Sequence, residues 1–451
     1  MLGPKVFRAY DIRGVADVDF SSDGIRQLGQ AFGSMLVSKG GRSVAIGRDC
    51  RASGTRLFEA FAEGAQASGV DVFGLGTVAT PISYFSESHL KADAAVSITG
   101  SHNPSDWNGF KFSIDKMALF GDDIQHMRHR IKHQEFEHGH GRLKHVDISD
   151  AYADYVLSTL RPLEREVHVV CDAGSGMAGP IAPKIYEAMG ATVTSLYCEP
   201  DGTFPFHHPD PTEEHNLVDL REQLKLVNAD VGVAFDGDAD RLGAITSDDR
   251  IIWGDQLMLL FAESILRTNP KAHFLAEVKC SDILFTRIRN LGGQIEMGKV
   301  GHSLIKARLR ETGALLAGEM SGHLFFNDRY LGYDDGIYAG ARLIELIGRN
   351  EIDLAAFLNG LPPVFATPEV RIPCPDEIKF EVVERAKNRL RPNYDLVEID
   401  GLRLRTEDGW GLLRASNTSP ALVMRVEANS QDALNTVRAL IEDLASELIN
   451  D

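Results

Sequence analysis

The order of apolar and polar positions predicts short buried strands that alternate with amphipathic helices along most of the chain. Three times the sequence runs strand, helix, strand, helix, strand and then a polar loop that contains glycine. The first strand of each repeat is apolar and ends at a charged loop; these strands are predicted at Ser43–Asp49, Val167–Asp172 and His273–Lys279. Strands that alternate with helices are typical of mostly parallel sheets covered on both faces.

The later strands of the three repeats follow the same order. Second strands are predicted at Asp71–Leu75, Thr192–Tyr197 and Gln294–Met297, and the helices include Leu57–Ser68 and Ile283–Leu291. Third strands end in polar loops, within the segments Ala94–Pro104, Val231–Arg241 and Ala314–His323. Because ligands of such sheets collect at the carboxyl ends of strands, these three loops lie where a ligand would bind.

The last part of the chain has a different pattern. Leu361–Asp376 carries five prolines and is typical of a linker or domain boundary. The elements predicted after it are a helix around Lys379–Leu390, strands at Val397–Asp400 and Leu402–Thr406 joined by the turn pair Asp400-Gly401, and a final helix at Gln431–Ile449. The sequence therefore predicts an α/β protein of three similar α/β domains, with mixed, mostly parallel sheets, and a C-terminal α+β domain. The expected domains are 1–147, 148–250, 251–361 and 362–451.

Composition and charge narrow the classes of function. The 451 residues are 43% hydrophobic and 25% charged, as in an ordinary folded protein, and no run of about 18 apolar residues predicts a membrane span. The net charge of −18 should repel nucleic acid and anionic membranes, so an anionic substrate would need local basic residues. Five scattered cysteines without a CxxC pair, and charges near the N-terminus, lead us to expect reduced thiols and a cytoplasmic protein.

Three aspartates, Asp236, Asp238 and Asp240, alternate directly after an apolar strand. Carboxylates this close repel one another unless a cation lies among them, and hard oxygen ligands favour Mg²⁺, Ca²⁺ or Mn²⁺. An EF-hand is excluded, because Arg241 stands at its sixth position and Ser247 at its twelfth, where glycine and glutamate are required. The alternative is a solvated acidic turn.

Ser101 lies in the segment Ile98–Lys111, between a glycine and the sequence His-Asn-Pro. These neighbours predict a tight, exposed loop. A serine presented beside His102, with Lys111 ten residues further on, could carry a group covalently. An ordinary turn serine is the alternative, and the segment is not a G-x-S-x-G nucleophile elbow.

Two further loops carry polar groups that could bind ligands, one of them neutral hydroxyl groups and the other a phosphate. Gly318–His323 offers a carboxylate, a hydroxyl and an imidazole, which can bind neutral hydroxyl groups. Arg414–Pro420 supplies a guanidinium, small polar side chains and free backbone N–H groups, which can hold a phosphate. Either segment could instead be a plain polar surface loop.

A glycine-rich turn at Gly174–Gly179 matches the dinucleotide-binding pattern G-x-G-x-x-G. It follows a strand and precedes a helix, and Glu199 lies 20 residues after Gly179, as that pattern requires. The other two repeats have no such glycines at the matching turn. A tight strand-to-helix turn is therefore the favoured interpretation, and an NAD-dependent oxidoreductase stays as the alternative from a different class.

Five segments in this order resemble one known family, the α-D-phosphohexomutases, and most closely its bacterial phosphomannomutase/phosphoglucomutase group. They are YDIRG from Tyr10, TGSHNPSDWNGFK from Thr99, DGDADR from Asp236, GEMSGH from Gly318 and RASNTSP from Arg414. The resemblance covers the whole chain and implies four domains around a central cleft. It also implies Mg²⁺ as cofactor, phosphosugar substrates and hexose 1,6-bisphosphate as activator.

The resemblance assigns a role to each matching residue. Ser101 would be the phosphoserine, and Asp236, Asp238 and Asp240 would hold Mg²⁺ together with an oxygen on Ser101. The groups around the transferring phosphoryl would be Arg13, His102, Lys111 and Arg241. Sugar and cleft contacts would come from Glu319, Ser321, Lys279, His302 and His323. The phosphate that does not react would be bound by Tyr10, Arg414, Ser416, Asn417 and Thr418.

The implied reaction moves a phosphate between C1 and C6 of a hexose, through phosphorylated Ser101 and a hexose 1,6-bisphosphate. Glucose and mannose differ only at C2, and no motif here contacts that position specifically. Either sugar is therefore a candidate substrate. Phosphoglucosamine mutase is a close alternative whose sugar loop usually differs from GEMSGH. We expect a monomer without nucleic-acid or membrane partners.

Overall fold

The computed structural model describes residues 2–417 and 419–450 and contains four β-sheets. The first sheet has the order β1-β5-β4-β2-β3-β7, with β6 beside β5. Its strands are β1 (Ile12–Val15), β2 (Ser43–Arg48), β3 (Asp71–Thr77), β4 (Ala94–Ile98), β5 (Trp107–Ile114), β6 (Met117–Ala118) and β7 (Leu143–His145). Its helices are α1 (Ala16–Asp19), α2 (Ser22–Ser38), α3 (Gly54–Ala67), α4 (Thr80–His89) and α5 (Asp122–His133), after a 3₁₀ turn at Pro4–Val6.

The second and third sheets repeat this plan in shorter form, with the orders β12-β11-β10-β8-β9 and β14-β13-β15-β16. The strands of the second sheet are β8 (His168–Asp172), β9 (Thr192–Leu196), β10 (Val231–Phe235), β11 (Leu242–Thr246) and β12 (Ile251–Ile252). Its helices are α6 (Ser149–Thr159), α7 (Ala182–Ala188) and α8 (Val218–Val227), with a 3₁₀ turn at Glu214–Leu217. The third sheet contains β13 (His273–Glu277), β14 (Gln294–Gly298), β15 (Leu316–Gly318) and β16 (Leu324–Phe326). Its helices are α9 (Gly254–Thr268), α10 (Asp282–Asn290), α11 (His302–Thr312), α12 (Gly336–Gly348) and α13 (Leu354–Asn359).

The predicted threefold repeat is confirmed by the strand pairing. In each of these sheets three parallel strands have the same order, as β4-β2-β3, β10-β8-β9 and β15-β13-β14. A further strand runs antiparallel beside the first of each trio, as β5, β11 and β16. The loops that carry Ser101, Asp236 and Glu319 therefore leave the corresponding edge of each sheet, after β4, β10 and β15.

The fourth sheet is wholly antiparallel, which confirms the α+β prediction for the end of the chain. It contains β17 (Phe365–Ala366), β18 (Val370–Pro373), β19 (Asp395–Val397), β20 (Leu402–Arg405), β21 (Gly409–Ala415) and β22 (Ala421–Ala428), with α14 (Lys379–Leu390) and α15 (Gln431–Asn450) against it. The hairpin prediction was wrong in one respect, because β19 ends at Val397 and not at Asp400. The Asp400 carboxylate accepts hydrogen bonds from Val300 N and Arg414 Nε, which draws residues 398–401 out of the ladder. The domain boundaries themselves stay a prediction.

Helix ends follow from local sequence. Ser21 caps α2 by accepting a hydrogen bond from Gly24 N at 3.2 Å, and Asp335 caps α12 by accepting one from Tyr338 N at 2.8 Å. Helix α11 ends at Thr312 and is followed by Gly313, whose φ of +65° suits glycine. No helix within the described part of the chain is both long and apolar enough to cross a membrane.

Apolar packing joins the second and third sheets to helix α4, whereas most of the first sheet and the fourth sheet each have a further core of their own. One continuous cluster includes Phe85 of α4, Val169 of β8 and Phe261 of α9, whereas the buried apolar residues of the fourth sheet form a separate cluster. The two meet where Trp410 packs on Val278. The loops after β10 and β15 thus leave a shared core, and α4 packs the first sheet against that core.

Candidate active site

Ser101 lies between β4 and β5 and faces the carboxylates that follow β10. Its Oγ donates a hydrogen bond to Asp236 Oδ2 at 2.8 Å and lies 3.1 Å from Nδ1 of His102. Its φ of +50° is unusual for a residue with a side chain. The prediction of an exposed serine was wrong: Ser101 is 1% exposed, because the backbone at Gly237 packs against its carbonyl group.

The three aspartates converge as predicted. Asp236, Asp238 and Asp240 are all fully buried, and each offers an oxygen within 4.8 Å of the others. Among the described residues, no donor reaches Oδ1 of Asp238. Burial and the charges of Asp240 and Asp238 raise the pKa of Asp236 well above its ordinary value. Converging buried carboxylates with an unsatisfied oxygen fit a hard divalent cation, so this triad could bind a metal.

Lys111, on β5, supplies the positive charge nearest to these carboxylates. Its Nζ donates to Asp238 Oδ2 at 2.8 Å and to Asp240 Oδ2 at 2.5 Å. Burial acts to lower the pKa of Lys111, but the two carboxylates outweigh burial and raise the pKa above its ordinary value. The ammonium group therefore stays charged at neutral pH. Thr80 of α4 also donates to Asp238 Oδ2, at 2.6 Å.

Two guanidinium groups lie near Ser101 and Asp236. Arg13 donates to the carbonyl of Gly100 at 3.2 Å and to Asp11 Oδ2 at 2.6 Å, and Arg241 Nε lies 3.7 Å from Asp236 Oδ2. Burial, followed by the charges of Arg241 and Arg13, holds the pKa of His102 well below its ordinary value. The imidazole beside Ser101 is therefore neutral at pH 7.

Glu319, Ser321 and His323 form a compact group after β15. Glu319 Oε1 accepts a hydrogen bond from Gly301 N at 2.7 Å, and His323 Nδ1 lies 2.8 Å from Glu319 Oε2 and 3.0 Å from Ser321 Oγ. Burial opposes a charge on His323, but the Asp240 carboxylate, with its hydrogen bond, raises the pKa of His323 to about 9. The group links the third loop to the aspartates.

His302 begins α11 and stacks on His323, with ring centroids 5.7 Å apart. Its Nδ1 lies 3.5 Å from Asp334 Oδ2 but makes no hydrogen bond to any described residue. Burial, then the charges of Lys306 and Lys111, keep the pKa of His302 well below its ordinary value. A neutral imidazole with a free ring nitrogen can donate to or accept from a ligand hydroxyl.

Arg414 and Asn417 lie at the end of β21 and in the loop that follows it, on the fourth sheet. Arg414 Nε donates to Asp400 Oδ2 at 3.1 Å, whereas its buried Nη2 has no partner among the described residues. Asn417 donates to the hydroxyl of Tyr10, and the pKa of Tyr10 is raised to about 12, chiefly by burial. Ser416 Oγ lies 2.9 Å from Ser419 Oγ, and the predicted Thr418 lies outside the described residues.

Lys279 lies just beyond β13, between the third and fourth sheets. Its Nζ donates to Glu369 Oε2 at 3.2 Å and lies 3.5 Å from Glu277 Oε1. Burial opposes the charge on Lys279, but Glu277 and Glu369 raise its pKa. Glu277 in turn accepts a hydrogen bond from Met320 N at 2.9 Å, which connects Lys279 to the loop after β15.

Contacts link Ser101 to Asp236, Lys111 to Asp238 and Asp240, and His323 to Asp240, so these predicted residues form one connected group. Gly301 connects this group to the residues of the fourth sheet. It donates a hydrogen bond to Glu319 and packs against the ring of Tyr10, which in turn accepts a hydrogen bond from Asn417. Sequence reasoning missed the residues that hold the predicted ones in place, namely Asp11, Thr80, Asp334, Glu369 and Asp400. Glu277 and Asp400 stood inside predicted elements, but no local pattern marked either as a partner of a site residue.

In the glycine-rich turn Gly174–Gly179, backbone atoms of neighbouring segments lie directly against two of the glycines. A Cβ on Gly179 would lie 2.0 Å from the carbonyl oxygen of Cys198, and one on Gly176 would lie 2.8 Å from that of Gly237. Close backbone approach therefore explains these two glycines. This packing supports the tight-turn interpretation over a dinucleotide site.

The fold and the site together are those of a phosphosugar mutase. Models of the phosphoglucomutase/phosphomannomutase α/β/α domains I, II and III match residues 4–138, 150–249 and 253–365, and the model of the C-terminal domain matches residues 369–444. The chain belongs to the phosphoglucomutase/phosphomannomutase family, as its motifs predicted.

Individual relatives match along nearly their whole length. Phosphomannomutase/phosphoglucomutase of Pseudomonas aeruginosa is 41% identical over 443 residues, which are 98% of this chain and 96% of that protein. Phosphoglucomutase of Neisseria gonorrhoeae is 42% identical over 446 residues, 97% of this chain and 96% of that protein. A crystal structure of a phosphoglucomutase/phosphomannomutase family protein from Burkholderia thailandensis matches with a TM-score of 0.92 at 42% identity, covering 99% and 98% of the two chains.

Proposed function

We propose that the protein is a phosphohexomutase that interconverts hexose 1-phosphate and hexose 6-phosphate, with mannose, glucose or both as the sugar. Two relatives that match nearly the whole chain are named for these activities. The observation that carries the proposal is the 2.8 Å contact of Ser101 Oγ with Asp236, which sets a hydroxyl beside a buried carboxylate triad and its lysine.

In the proposed reaction Ser101 carries a phosphoryl group at the start of each cycle. The free hydroxyl of the bound hexose phosphate attacks phosphorus: a sugar O–P bond forms as the Oγ–P bond breaks, a base takes the hydroxyl proton, and the freed Ser101 Oγ takes up a proton in its place. The hexose 1,6-bisphosphate then turns around, and its other phosphate returns to Ser101. A bisphosphate from solution can also phosphorylate a bare Ser101, which accounts for an activator role.

We infer that Asp236, Asp238 and Asp240 hold Mg²⁺, with an oxygen on Ser101 as the next ligand. When bound, Mg²⁺ would offset the charge of the transferring phosphoryl group. Three carboxylates and a divalent cation still leave one negative charge, and a phosphoserine adds almost two more. The protein must therefore supply cations of its own.

Lys111, Arg13 and Arg241 are these cations. Lys111 lies against the carboxylates, and the pKa values of Lys111 and Arg241 are raised by them against the effect of burial. Positioned cations stabilise the charge that spreads over the phosphoryl oxygens during transfer. The neutral His102, 3.1 Å from Ser101 Oγ, can orient the serine oxygen without adding charge.

The two ends of the substrate have different partners in this proposal. Glu319, Ser321, His302 and His323 would bind the sugar hydroxyls near the reacting end. The distal phosphate would be bound by Arg414, Ser416, Asn417 and Thr418, with Tyr10 and Lys279 beside them. The Nη2 of Arg414, which no residue in the described part of the chain accepts from, supports this arrangement, since a buried guanidinium N–H is costly without an acceptor.

The test is conversion of mannose 1-phosphate, glucose 1-phosphate and glucosamine 1-phosphate, followed by ³¹P NMR without any nicotinamide. We expect the 6-phosphate of mannose or glucose to appear, with little reaction of the glucosamine compound. The matched control is Ser101→Ala, which should lose turnover by several orders of magnitude and take up no phosphate from glucose 1,6-bisphosphate.

Two results would redirect the proposal. Preferential turnover of glucosamine 1-phosphate would favour the phosphoglucosamine mutase. An inactive protein that binds NAD saturably in calorimetry would instead favour an oxidoreductase.

A further inference from the structure

Arg51 is a buried arginine that has no role in the proposed reaction, yet both of its terminal nitrogens donate to the backbone of the Ser101 loop. It follows β2, and its side chain is 0% exposed. Its Nη1 and Nη2 donate only to backbone carbonyls, those of Ser101 at 2.8 Å, Asn103 at 2.6 Å, Trp107 at 3.1 Å and Pro104. Its Nε donates to Asp49 at 3.1 Å. A guanidinium has five N–H donors, so all five are used.

Asp49 and Arg51 together form a frame of hydrogen bonds around Ser101, and Asp49 holds the residues that precede the serine. Its Oδ2 accepts hydrogen bonds from Thr99 Oγ1 at 2.8 Å and from Gly100 N at 3.0 Å. Thr99 Oγ1 in turn accepts one from Ser101 N at 2.8 Å. The N–H and the C=O of Ser101 are therefore both tied to the Asp49–Arg51 pair.

The frame has little room to relax. A Cβ on Gly100 would lie 2.4 Å from Arg51 Cζ, so the guanidinium lies directly against the loop backbone. On its other side the guanidinium lies 5.0 Å from the ring centroid of Phe204, in the segment that follows β9. Ser101 itself holds the left-handed φ of +50°, a conformation that persists in a residue with a side chain only where surrounding contacts enforce it.

We propose that Arg51 is a positioning residue for phosphoryl transfer, which holds the Ser101 loop in the conformation that directs Oγ to Asp236. This inference rests on the proposed mutase function. Arg51 contacts loop carbonyls and not the cleft, so its loss should reduce turnover and leave sugar-phosphate binding almost unchanged. A misplacement of about 1 Å at a reacting atom can cost about 100-fold in rate.

Arg51→Lys tests the proposal, because lysine keeps the charge but has three donors where the arginine uses five. The matched control is Arg342→Lys in α12, which alters another buried arginine whose Nη1 and Nη2 each lie 2.9 Å from Asp328 oxygens. The assay measures kcat and KM for glucose 1-phosphate, the single-turnover phosphorylation of Ser101 by glucose 1,6-bisphosphate, and the Tm of each variant.

We expect Arg51→Lys to lower kcat and the phosphorylation rate by about 10- to 100-fold, with KM changed by less than about threefold. Arg342→Lys should lower Tm to a similar degree and keep kcat. Equal kcat for Arg51→Lys and wild type, equal losses in the two variants, or a loss confined to KM would each overturn the inference.

A second variant covers a failure of Arg51→Lys to fold. Thr99→Val keeps the shape of the side chain and removes its hydrogen bonds to Asp49 and Ser101, so it should show the same loss of kcat without a change in KM. Normal kcat in Thr99→Val would then refute the frame. A wild-type protein without mutase activity would overturn the proposed function and this inference together, whereas an active wild type with unaffected variants overturns this inference alone.

Discussion

Replacing Arg414 by alanine tests whether the loop after β21 binds the phosphate that does not react. Arg414 is 5% exposed, its Nε donates to Asp400, and its buried Nη2 has no partner among the described residues, so Nη2 can donate to a ligand. A hydrogen bond to a charged group contributes about 1.5–3 kcal/mol, which corresponds to about 10- to 150-fold weaker binding of hexose 1-phosphate. Asp400 keeps its hydrogen bond from Val300 N, at 3.0 Å, and should not be left without a donor.

The assay compares two acceptors of the phosphoryl group on Ser101. Phosphorylated enzyme is mixed with glucose 1-phosphate or with glucose, and transfer is followed by rapid quench. Since glucose has no second phosphate, Arg414→Ala should raise the half-saturating concentration of glucose 1-phosphate alone. Arg405→Ala, at a 44% exposed arginine of the same sheet, is the control and should alter neither reaction. An equal loss with both acceptors, or unchanged affinity for glucose 1-phosphate, would refute the assignment.

Three other perturbations have defined outcomes. Asp238→Asn removes one ligand charge and should shift the Mg²⁺ dependence of turnover to much higher concentration. The control Asp443→Asn, at an exposed aspartate, should leave that dependence unchanged, and full activity in excess chelator would contradict the metal site. Gly179→Ala sets a Cβ 2.0 Å from a backbone oxygen and should cost about 1–3 kcal/mol in the free energy of unfolding, with no effect on any nicotinamide constant. Burial raises the pKa of Glu87 from 4.5 to about 7, so its protonated form is favoured in the folded state and its contribution to stability falls as pH rises through that interval. The Tm of Glu87→Gln minus the Tm of wild type should therefore increase from pH 4.5 to 7. A Tm difference that does not change with pH would show that the Glu87 carboxyl titrates normally.

Much of the fold was predictable because its signals are local. The first strand of each repeat was placed to within two residues at either end, and the helix at Lys379–Leu390 was placed correctly. The five motif segments led to the family before any geometry was known. The error at Asp400 shows the limit of local reasoning: a strong turn pair was present, but two partners from outside the hairpin took the carboxylate away from it.

The sequence by itself determined the repeat, the family and the residue types at the site, since hydrophobic period and motif order are properties of neighbouring residues. Only the tertiary structure decided which of these residues touch. Ser101 meets Asp236 across 135 positions of the chain, and Asn417 meets Tyr10 across 407. Contacts of that kind also bury Ser101 and direct Arg51 to its loop. They depend on how the sheets pack together, and packing brings together side chains whose distance along the chain carries no information about their distance in space.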